Sequence, residues 1–571
     1  GPPTYPSPAT PSESDTITIT ISGWNDADGD TDVLVINNGG HAIYLRNDTP
    51  PKNHFIRLNL IGTRETGKTR SATFPIGTKV FAQAGPHHQK KEFVPATGFL
   101  SQNSPQLTFG LGPRTKLDYL RLIWPDGVLQ SEMEIAAGQT FPVKETSRKA
   151  SSCPVLFAWD GTRFEFVTDM LGGGGLGFFL AQGTYARPQP VERIRLEAKQ
   201  LQPMNGRYEL RIIEPLEEAV YLDLLRLEVI DHPADCSIYP DERLETGHPS
   251  RTDRIYCVRE PIPPIAARTG RTDDVLQAIL AIDRRTVDDF KVDKRFLGFS
   301  ESHFLELEFG RKLESLPRDR PVILYLYGWV EYPYSQTNFA AFQAGLQLQP
   351  PSLQIQDSSG EWRTVLPEVG YPAGMPKMMT LDISKWARES DGRFRLITNM
   401  EIYWDAAFIA PDDPMQKRVS RPPVDFAYLR PCGFPREYSP DGRLPLLFDY
   451  QLMDPNPGFK LMSGDYTRYG NVGKLLEEVD DHFVIMGRGD EIAISFDATR
   501  LPPLPTGWTR SFILRSDGFC KDMDLYTAEG QTVEPLPFHG MSNYPYPKSE
   551  HYPVDPSHTR YRQTWNTRKV H

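Results

Sequence analysis

The stretch 62-GTRETGKT-69 matches a phosphate-binding loop at every fixed position of that pattern, which are Gly62, Gly67, Lys68 and Thr69. Such a loop holds nucleotide phosphates because a helix begins directly after it and points free backbone N–H groups at the phosphate. The residues after Thr69 read RSATFPIGTKV, and their proline and glycine disfavour a helix. We therefore expect the polar turn of a β-hairpin at this position, and no nucleotide binding.

A second stretch, 26-DADGDTD-32, crowds four aspartates around one glycine. The side chains of Asp26, Asp28 and Asp32 can point into one small loop, and Asp30 can offer its backbone carbonyl. Crowded carboxylates repel one another unless a cation neutralises them, and a set of oxygen ligands suits calcium. The pattern predicts a calcium site at these four aspartates; the alternative is a solvated acidic turn.

Glycines recur in 169-DMLGGGGLGFF-179, where Gly172, Gly174 and Gly177 have the spacing of a dinucleotide-binding turn. That turn also requires a helix directly after it, within a β–α–β unit. Prolines and strand-like residues follow here instead. We expect a flexible loop, or one packed too closely for side chains, and such a loop can line a pocket.

Arg488, Gly489 and Asp490 form an RGD tripeptide, which can act in adhesion. The tripeptide lies between two predicted strands, 482-HFVIM-486 and 491-EIAISF-496, where Gly-Asp makes a tight turn. We expect the turn rather than an adhesion site.

Aromatic residues concentrate in the C-terminal half, close to carboxylates. Tyrosine and tryptophan ring faces stack on the apolar faces of sugars, so this half is a candidate glycan-binding surface; the alternative is a sandwich core with tyrosine hydroxyls at its rim. The candidate ligand-binding residues are Trp329, Tyr332, Tyr334, Tyr403 and Trp404. Hydrolysis of a glycosidic bond would need two carboxylates that face each other across a cleft. The candidates by residue type are Glu331, Glu401, Asp405, Asp522 and Asp524.

Cysteines and histidines give weaker indications of metal binding than the aspartate run does. The five cysteines include no C-x-x-C pair, so a zinc or iron–sulfur site built on cysteine is not expected. Cys236 and Cys257 are close enough in sequence for a disulfide; the alternative is that all five cysteines are small buried residues. Among the histidines, His539 and the pair His87-His88 are those to inspect as metal ligands.

The bulk composition limits the function classes. The chain has 571 residues and a net charge of −11, which disfavours general binding to nucleic acid because that requires basic surface. No apolar run approaches the ~20 residues of a membrane-spanning helix. Proline occurs 52 times, so we expect many short strands, turns and long loops.

Short runs with strand-like alternation recur along the chain, beginning with TITITIS at residues 16–22 and continuing to 511-SFILRSDG-518. Residues 1–15 are rich in proline and serine and lack an apolar pattern, so they are expected to be a linker or tail. Helical spacing of apolar residues is visible at 273–282 and 471–481. The rhythm is typical of β-sandwich domains.

Residues 16–50 resemble the last FG-GAP (VCBS-type) repeat of a β-propeller, on the strength of DADGDTD, DVLVINNGG and YLRND. The resemblance implies a single, partial propeller blade and a calcium loop. Trp24 stands where that family usually has a further carboxylate, so this set has one ligand fewer.

Residues 51–147 resemble the ASPIC/UnbV family. The matching residues are Asn53-His54-Phe55, Gly98-Phe99-Leu100-Ser101-Gln102, Phe109-Gly110-Leu111-Gly112 and Trp124-Pro125-Asp126-Gly127, in the expected order. The remainder resembles the C-terminal region attached to such domains in large secreted bacterial proteins, on the strength of Cys153-Pro154, 398-TNMEIYWD-405 and 536-LPFHGM-541. We expect a mostly-β chain with a β-rich middle domain at 148–300, a β-sandwich-like region at 301–571 and few short helices.

These observations favour a secreted, extracellular or periplasmic protein that acts without catalysis in binding, adhesion or assembly, aided by calcium. Its partner would be an extracellular protein or a glycan. One alternative is a carbohydrate-active enzyme or glycan-binding protein that uses the aromatic C-terminal half. Another is a homo-oligomer or filament subunit, in which the edge strand TITITIS adds to a neighbour's sheet.

Overall fold

The computed structural model describes residues 17–20, 32–37, 41–48, 52–62, 71–96, 102, 104–125, 129–145, 154–246, 250–293, 295–310, 313, 316–455 and 461–570. Strands hold 47% of the residues and helices 7%, which confirms the mostly-β fold class. The chain divides into two compact units, residues 1–147 and 148–571. Within the described residues, no helix has the length and apolar character needed to cross a bilayer.

The strands of the first unit are short and mostly antiparallel. They are β1 (Ile17–Thr20), β2 (Val33–Asn37), β3 (Ile43–Leu45), β4 (His54–Ile61), β5 (Lys79–Ala84), β6 (His87–Glu92), β7 (Gln106–Gly112), β8 (Lys116–Ile123), β9 (Leu129–Ala136) and β10 (Gln139–Lys144). Strands β1, β2 and β3 form one antiparallel sheet in that order. A second sheet has the order β10-β4-β7, and a third has the order β6-β5-β8-β9. The second and third sheets share one buried core, which includes Leu58, Val80 and Trp124.

The hairpin turn expected at residues 62–69 stays a prediction. Strands β4 and β5, which precede and follow this segment in the chain, belong to different sheets. Lys68 and the other residues of 63–70 lie outside the described residues. Residues 71–78 contain turns and no helix, and Gly62 donates its N–H to the carbonyl of Thr73 at 3.2 Å. The described surroundings therefore lack the helix that a phosphate-binding loop needs.

The second unit contains most of the strands and both α-helices of the described residues. Its first strands are β11 (Val155–Trp159), β12 (Phe164–Asp169), β13 (Phe179–Ala181), β14 (Thr184–Tyr185), β15 (Val191–Leu196), β16 (Pro203–Met204), β17 (Arg207–Ile213), β18 (Glu218–Pro233), β19 (Ser237–Tyr239), β20 (Arg243–Leu244) and β21 (Tyr256–Val258). Next come β22 (Ala266–Thr269), β23 (Phe299–Glu308), β24 (Val322–Val330), α1 (Ser335–Gln343), β25 (Ser352–Gln356), β26 (Trp362–Leu366), β27 (Tyr371–Pro372), β28 (Lys377–Asp382), β29 (Arg393–Met400) and β30 (Ile402–Pro411). The last are β31 (Arg418–Ser420), β32 (Val424–Pro431), β33 (Phe434–Tyr438), β34 (Leu447–Asp454), β35 (Gly464–Tyr466), β36 (Gly470–Asn471), β37 (Val484–Gly487), β38 (Asp490–Asp497), β39 (Trp508–Asp522), α2 (Pro556–Trp565) and β40 (Arg568–Val570).

The first sandwich of this unit pairs a seven-stranded sheet with a five-stranded sheet. The seven-stranded sheet has the order β12-β11-β17-β38-β32-β36, with β16 on β17, and the five-stranded sheet has the order β15-β39-β18-β31, with β37 on β18. Leu210 and Ile494 of one sheet belong to the same buried cluster as Leu227 and Leu514 of the other. The two longest strands, β18 and β39, pair along their whole length, from Glu218 opposite Asp522 to Pro233 opposite Trp508.

The second sandwich is inserted between strands β18 and β31 of the first. Its sheets have the orders β22-β23-β29-β25-β26 and β28-β24-β30, and they share a core that includes Leu305, Leu326 and Leu396. Strand β23 runs across the boundary predicted between residues 300 and 301, and strand β17 pairs with strand β38 on the other side of it. The order of the strands along the sequence does not reveal this arrangement, because the first sandwich is built from two separate stretches of the chain.

The two helices predicted from spacing are wrong. Each segment contains only a single 3-10 turn, at Leu276–Ala278 and Gly473–Leu475. The first segment forms a backbone bridge to strand β30, with Leu280 opposite Ala406; Ile279 is fully buried there, whereas Leu280 and Ile282 are exposed. Helix α2 is capped at its N-terminus by Asp555, whose carboxylate accepts from the N–H groups of Ser557 and His558. The aspartate before Pro556 is the cap signal that would have predicted this helix.

Cys236 and Cys257 form the disulfide that their spacing suggested, with their Cα atoms 6.0 Å apart. The bridge joins the residue before strand β19 to the middle residue of its partner strand β21.

Candidate functional site

A cavity of about 950 Å³ lies between the two sandwiches of the second unit. One wall comes from the first sandwich and includes the glycine-rich segment, Glu218 and Asp522; the other comes from the second sandwich and includes Phe299, Tyr332 and Met400. A volume of this size is typical of sites that hold a small molecule or a short chain of units. The cavity is therefore the place in the described structure where a ligand of that size fits.

The glycine-rich segment forms part of the cavity wall where chain segments pass close together. A Cβ atom on Gly174 would lie 2.8 Å from the carbonyl oxygen of Gly518, and one on Gly172 would lie 2.9 Å from that of Ala373. Gly177 has φ of +65°, and a Cβ there would lie 2.8 Å from Ala528. The expectation of a closely packed loop that lines a pocket is confirmed, and the segment leads into strand β13 instead of a helix.

A buried ionic cluster of Lys377, Asp169 and Glu192 fixes the chain segments next to the glycine-rich part of the cavity wall. Lys377 donates from Nζ to the carboxylate of Asp169, and also to the carbonyl oxygens of Ala373 at 2.8 Å and Asp169 at 3.0 Å. Glu192 Oε1 lies 3.7 Å from the same Nζ, and the other oxygen of Glu192 accepts from the N–H of Leu171, directly before the glycines. Burial raises the pKa of the Glu192 carboxyl, since removal from water disfavours its charged form. The cluster ties both sandwiches to one wall of the cavity.

Polar atoms of cavity-lining residues that have no hydrogen-bond partner among the described residues include the hydroxyl of Tyr332 and Oδ1 of Asn338. Asn338, on helix α1, is held in place because its Nδ2 donates to the carbonyl of Phe179 at 3.0 Å. A buried polar atom without a partner is costly, by about 1–3 kcal/mol. Neither atom has surface open to the cavity, so a ligand would recover part of that energy only where a small side-chain movement let it reach one of them.

The five candidate aromatic residues separate into two groups. Tyr332 and Tyr334 line the cavity, as does Tyr371, which the sequence did not single out. Trp329 and Trp404 are 1% and 3% exposed and belong to the core, so they present no ring face to solvent. Tyr403 stacks on Trp329 with ring centres 4.2 Å apart, and its hydroxyl donates to Glu401 at 2.6 Å.

The candidate carboxylates separate in the same way. Asp522 lines the cavity, and its partner across the strands is Glu218, which also lines it. Asp524 is buried and accepts from the N–H of Gln336 on helix α1 at 3.1 Å. Glu401 and Asp405 are not part of the cavity wall, and burial raises the pKa of both carboxyls. Glu331 donates its backbone N–H to the carbonyl of Glu401.

Glu218 was missed because cross-strand register cannot be deduced from the sequence. Strand β18 shows neither strict alternation nor a motif at Glu218, and its neighbour Asp522 is about 300 residues away in the chain. Asn338 was missed because helix α1 was not predicted.

The RGD tripeptide forms the turn that was expected. It joins β37 to β38, with Gly489 at φ +74°. Asp490 is 2% exposed, and its carboxylate accepts from Gly487 N–H at 2.9 Å and from Tyr469 Oη at 2.9 Å. A buried, bonded aspartate cannot present the carboxylate that an adhesion receptor would contact.

His539 lies in a group of acidic residues on the first sandwich, and neither it nor these acids line the cavity. Its Nδ1 is 2.7 Å from Asp481 Oδ1 and 3.6 Å from Asp223 Oδ2, and its Nε2 is 2.8 Å from Asp517 Oδ1. Within the described parts of the chain, Asp223, Asp481 and His539 are the residues grouped closely enough to hold a metal ion. The exposed pair His87-His88 lies on strand β6, where His88 contacts the hydroxyl of Tyr119 at 2.9 Å.

Of the four aspartates predicted to bind calcium, Asp26, Asp28 and Asp30 lie outside the described residues. Asp32 is 1% exposed. One of its carboxylate oxygens accepts from Tyr44 Oη at 2.6 Å, and the other accepts from the N–H of Asn47 at 2.8 Å.

Comparison with known proteins identifies one part of the chain. Residues 67–150 match the family model described as ASPIC and UnbV. No curated protein and no solved structure matches the chain significantly. The match covers the C-terminal part of the first unit and does not reach the cavity.

Proposed function

We propose that the protein is a secreted, non-enzymatic binding protein that holds an extracellular ligand in the cavity between its two sandwiches. The observation that carries this proposal is the cavity itself, with its aromatic and apolar lining and the two polar atoms of Tyr332 and Asn338 that lack partners among the described residues. An apolar lining with a few convergent polar groups is the usual character of a binding site.

Secretion is supported by the disulfide between Cys236 and Cys257, because such bonds persist in oxidising compartments and are rare in the cytosol. The ASPIC and UnbV match at residues 67–150 supports the same localisation, since the resemblance is to modular secreted proteins.

A glycan is the ligand class that the lining favours. Tyr332, Tyr334 and Tyr371 contribute rings to the wall, and Asn338, Glu218 and Asp522 contribute groups that bond to hydroxyls. Flat rings beside hydrogen-bonding groups match the alternating apolar faces and hydroxyl edges of a sugar chain.

The test is calorimetric titration of the full chain with a panel of soluble oligosaccharides, followed by the Tyr332→Phe variant. This variant removes a hydroxyl that has no partner among the described residues, so the fold is expected to be kept. Loss of one hydrogen bond to the ligand should weaken binding by up to about tenfold. Tyr428→Phe is the matched control, since Tyr428 is 49% exposed and does not line the cavity. Equal affinities of wild type and Tyr332→Phe for every sugar that binds would place the ligand elsewhere.

Glu218 and Asp522 favour a second candidate, a carbohydrate-active enzyme. Two carboxylates directly opposite on paired strands repel each other, and the cavity wall is where a pair of acids would face a glycosidic bond. Release of shorter sugars from an oligosaccharide that the protein binds, and loss of that release in Glu218→Gln, would favour the enzyme over the binding protein.

Assembly into a filament is supported by the position of strand β1. Among the described strands, β1 pairs with β2 on one side and lies at the edge of its three-stranded sheet. An edge strand of this kind can add to the sheet of a neighbouring copy. Light scattering that gave a monomer at high protein concentration would remove this candidate.

A further inference from the structure

The longest strand pair of the protein contains a β-bulge at Asp223. Leu222 is opposite Gly518 and Leu224 is opposite Asp517, so Asp223 is the extra residue. A bulge turns one side chain out of the regular alternation of a strand and is common beside functional sites. Here it directs the carboxylate of Asp223, which is fully buried, towards His539.

Asp481 approaches the same point from a loop. Its φ is +62°, a left-handed conformation that aspartate tolerates better than most residues but that still costs energy. The N–H groups of Asp480 and Asp481 both donate to Oδ2 of Asp223, at 3.1 and 3.0 Å. These hydrogen bonds therefore fix the loop against the bulge. The Asp481 side chain lies beside the imidazole of His539.

The imidazole of His539 is oriented from behind. Its Nε2 donates to Asp517 Oδ1 at 2.8 Å, which leaves Nδ1 directed at Asp481 and Asp223. A carboxylate that accepts from the far nitrogen of a histidine is the usual partner behind a metal-ligating imidazole, because it fixes the ring and makes the near nitrogen a better donor.

The buried carboxylate of Asp223 has capacity for one more partner. Oδ1 of the fully buried Asp223 has no hydrogen-bond partner among the described residues. One donor atom from each of Asp223, Asp481 and His539 lies within 4.8 Å of the others, which is the spacing of ligands around one ion.

We propose that Asp223, Asp481 and His539 bind one zinc-class divalent cation, through one imidazole nitrogen and two carboxylate oxygens. The nitrogen ligand favours zinc and its first-row neighbours over calcium or magnesium, which select oxygen. The ion replaces the proton on Nδ1 of His539, so binding releases one proton to solvent. Three protein ligands leave a position for water, and the half-exposed edge of His539 makes that position reachable.

The experiment is a zinc titration of the full chain against a chromophoric chelator. Wild type is expected to bind one zinc ion at this site. His539→Gln and Asp481→Asn should each weaken binding by at least about 100-fold, and Asp517→Asn should weaken it by about 10–100-fold because it removes only the partner behind the ligand. His87→Gln is the matched control, since His87 is an exposed histidine of the other unit, and it should bind like wild type.

Circular dichroism of each metal-free variant checks that the fold is kept. X-ray absorption of the zinc-loaded wild type gives a readout that does not depend on variants, with a nitrogen at about 2.0–2.1 Å expected among the ligands. Absence of a stoichiometric zinc ion in wild type, unchanged binding in His539→Gln, or an all-oxygen shell would each overturn the proposal.

Discussion

Lys377 of strand β28 donates a hydrogen bond to the carboxylate of Asp169 at the end of strand β12, and both side chains are almost completely buried. The two strands belong to different sandwiches. A second carboxylate, that of Glu192, lies 3.7 Å from the ammonium. The two sandwiches are thus joined by a buried cation that holds two acids at one wall of the cavity.

Replacement of this cation should be strongly destabilising. Lys377→Met leaves the carboxylates of Asp169 and Glu192 buried without a positive charge, and loss of one partner from a buried pair lowers the free energy of unfolding by about 3–5 kcal/mol. The measurement is urea denaturation followed by tryptophan fluorescence. Lys385→Met is the control, because Lys385 is exposed on the same segment, and it should change stability by less than about 0.5 kcal/mol. Equal stabilities of the two variants would contradict the role given to the ion pair.

Neighbouring glycines of the cavity wall should respond differently to the same substitution. Gly174→Ala drives a methyl group to within 2.8 Å of the Gly518 carbonyl oxygen, so a loss of roughly 1–3 kcal/mol is expected, as for other overpacked sites. At Gly175, φ is −59° and a Cβ meets nothing within 4 Å. Gly175→Ala should therefore be neutral or stabilise by about 0.4–1 kcal/mol. Thermal unfolding of the two variants compares them directly, and a shared shift would mean that the close approach of the chains is not what requires glycine.

The buried amine of Lys521 should make stability depend on pH above neutrality. Burial lowers the pKa of Lys521 to about 7, against the partial compensation from nearby glutamates. Lys521 Nζ donates to Tyr544 Oη at 2.7 Å and to the backbone carbonyl oxygens of Val533 and Glu534 at 3.1 and 3.3 Å. Between pH 7 and about 10.4 the unfolded chain holds this proton and the folded chain does not. The contribution of Lys521 to the free energy of unfolding therefore rises with pH in that window, by up to about 1.4 kcal/mol per pH unit. Below the window this contribution is constant.

Lys521→Met removes this titration. The difference in unfolding free energy between wild type and variant, measured in urea at pH 7.5, 8.5 and 9.5, should therefore change steadily with pH. Lys199→Met, at a position whose side chain is 82% exposed, should give a constant difference. A constant difference for Lys521→Met as well would show that the amine is charged throughout this range.

Calcium binding by the aspartate run stays a prediction from the sequence. If Asp26, Asp28, Asp30 and Asp32 hold the ion, calcium should raise the thermal midpoint of the wild-type protein, and Asp28→Asn should abolish the rise. Asp48→Asn, which changes an exposed aspartate outside the run, should keep it. The absence of any calcium effect in wild type would favour the solvated acidic turn.

Local signals in the sequence predicted the parts of this protein that depend on near neighbours. Alternating apolar residues and frequent prolines gave the mostly-β class, and the glycine spacing of 172–177 gave a closely packed loop. The spacing of Cys236 and Cys257 allowed the disulfide that they form. Helical spacing at 273–282 was misleading, because apolar residues can recur at that spacing in a segment that forms only one 3-10 turn and then pairs with a neighbouring strand.

Pairing between strands that are far apart in the chain determined the rest of the fold and the positions of the candidate site residues. The sequence by itself determined the fold class, the match of residues 67–150 to a family model, and the residue types that are available for chemistry. Only the tertiary structure paired β18 with β39, and through that pairing placed Glu218 opposite Asp522 and turned Asp223 towards His539. The physical reason is that strand register depends on backbone hydrogen bonds between segments hundreds of residues apart, and a shift of one residue would turn each side chain to the opposite face.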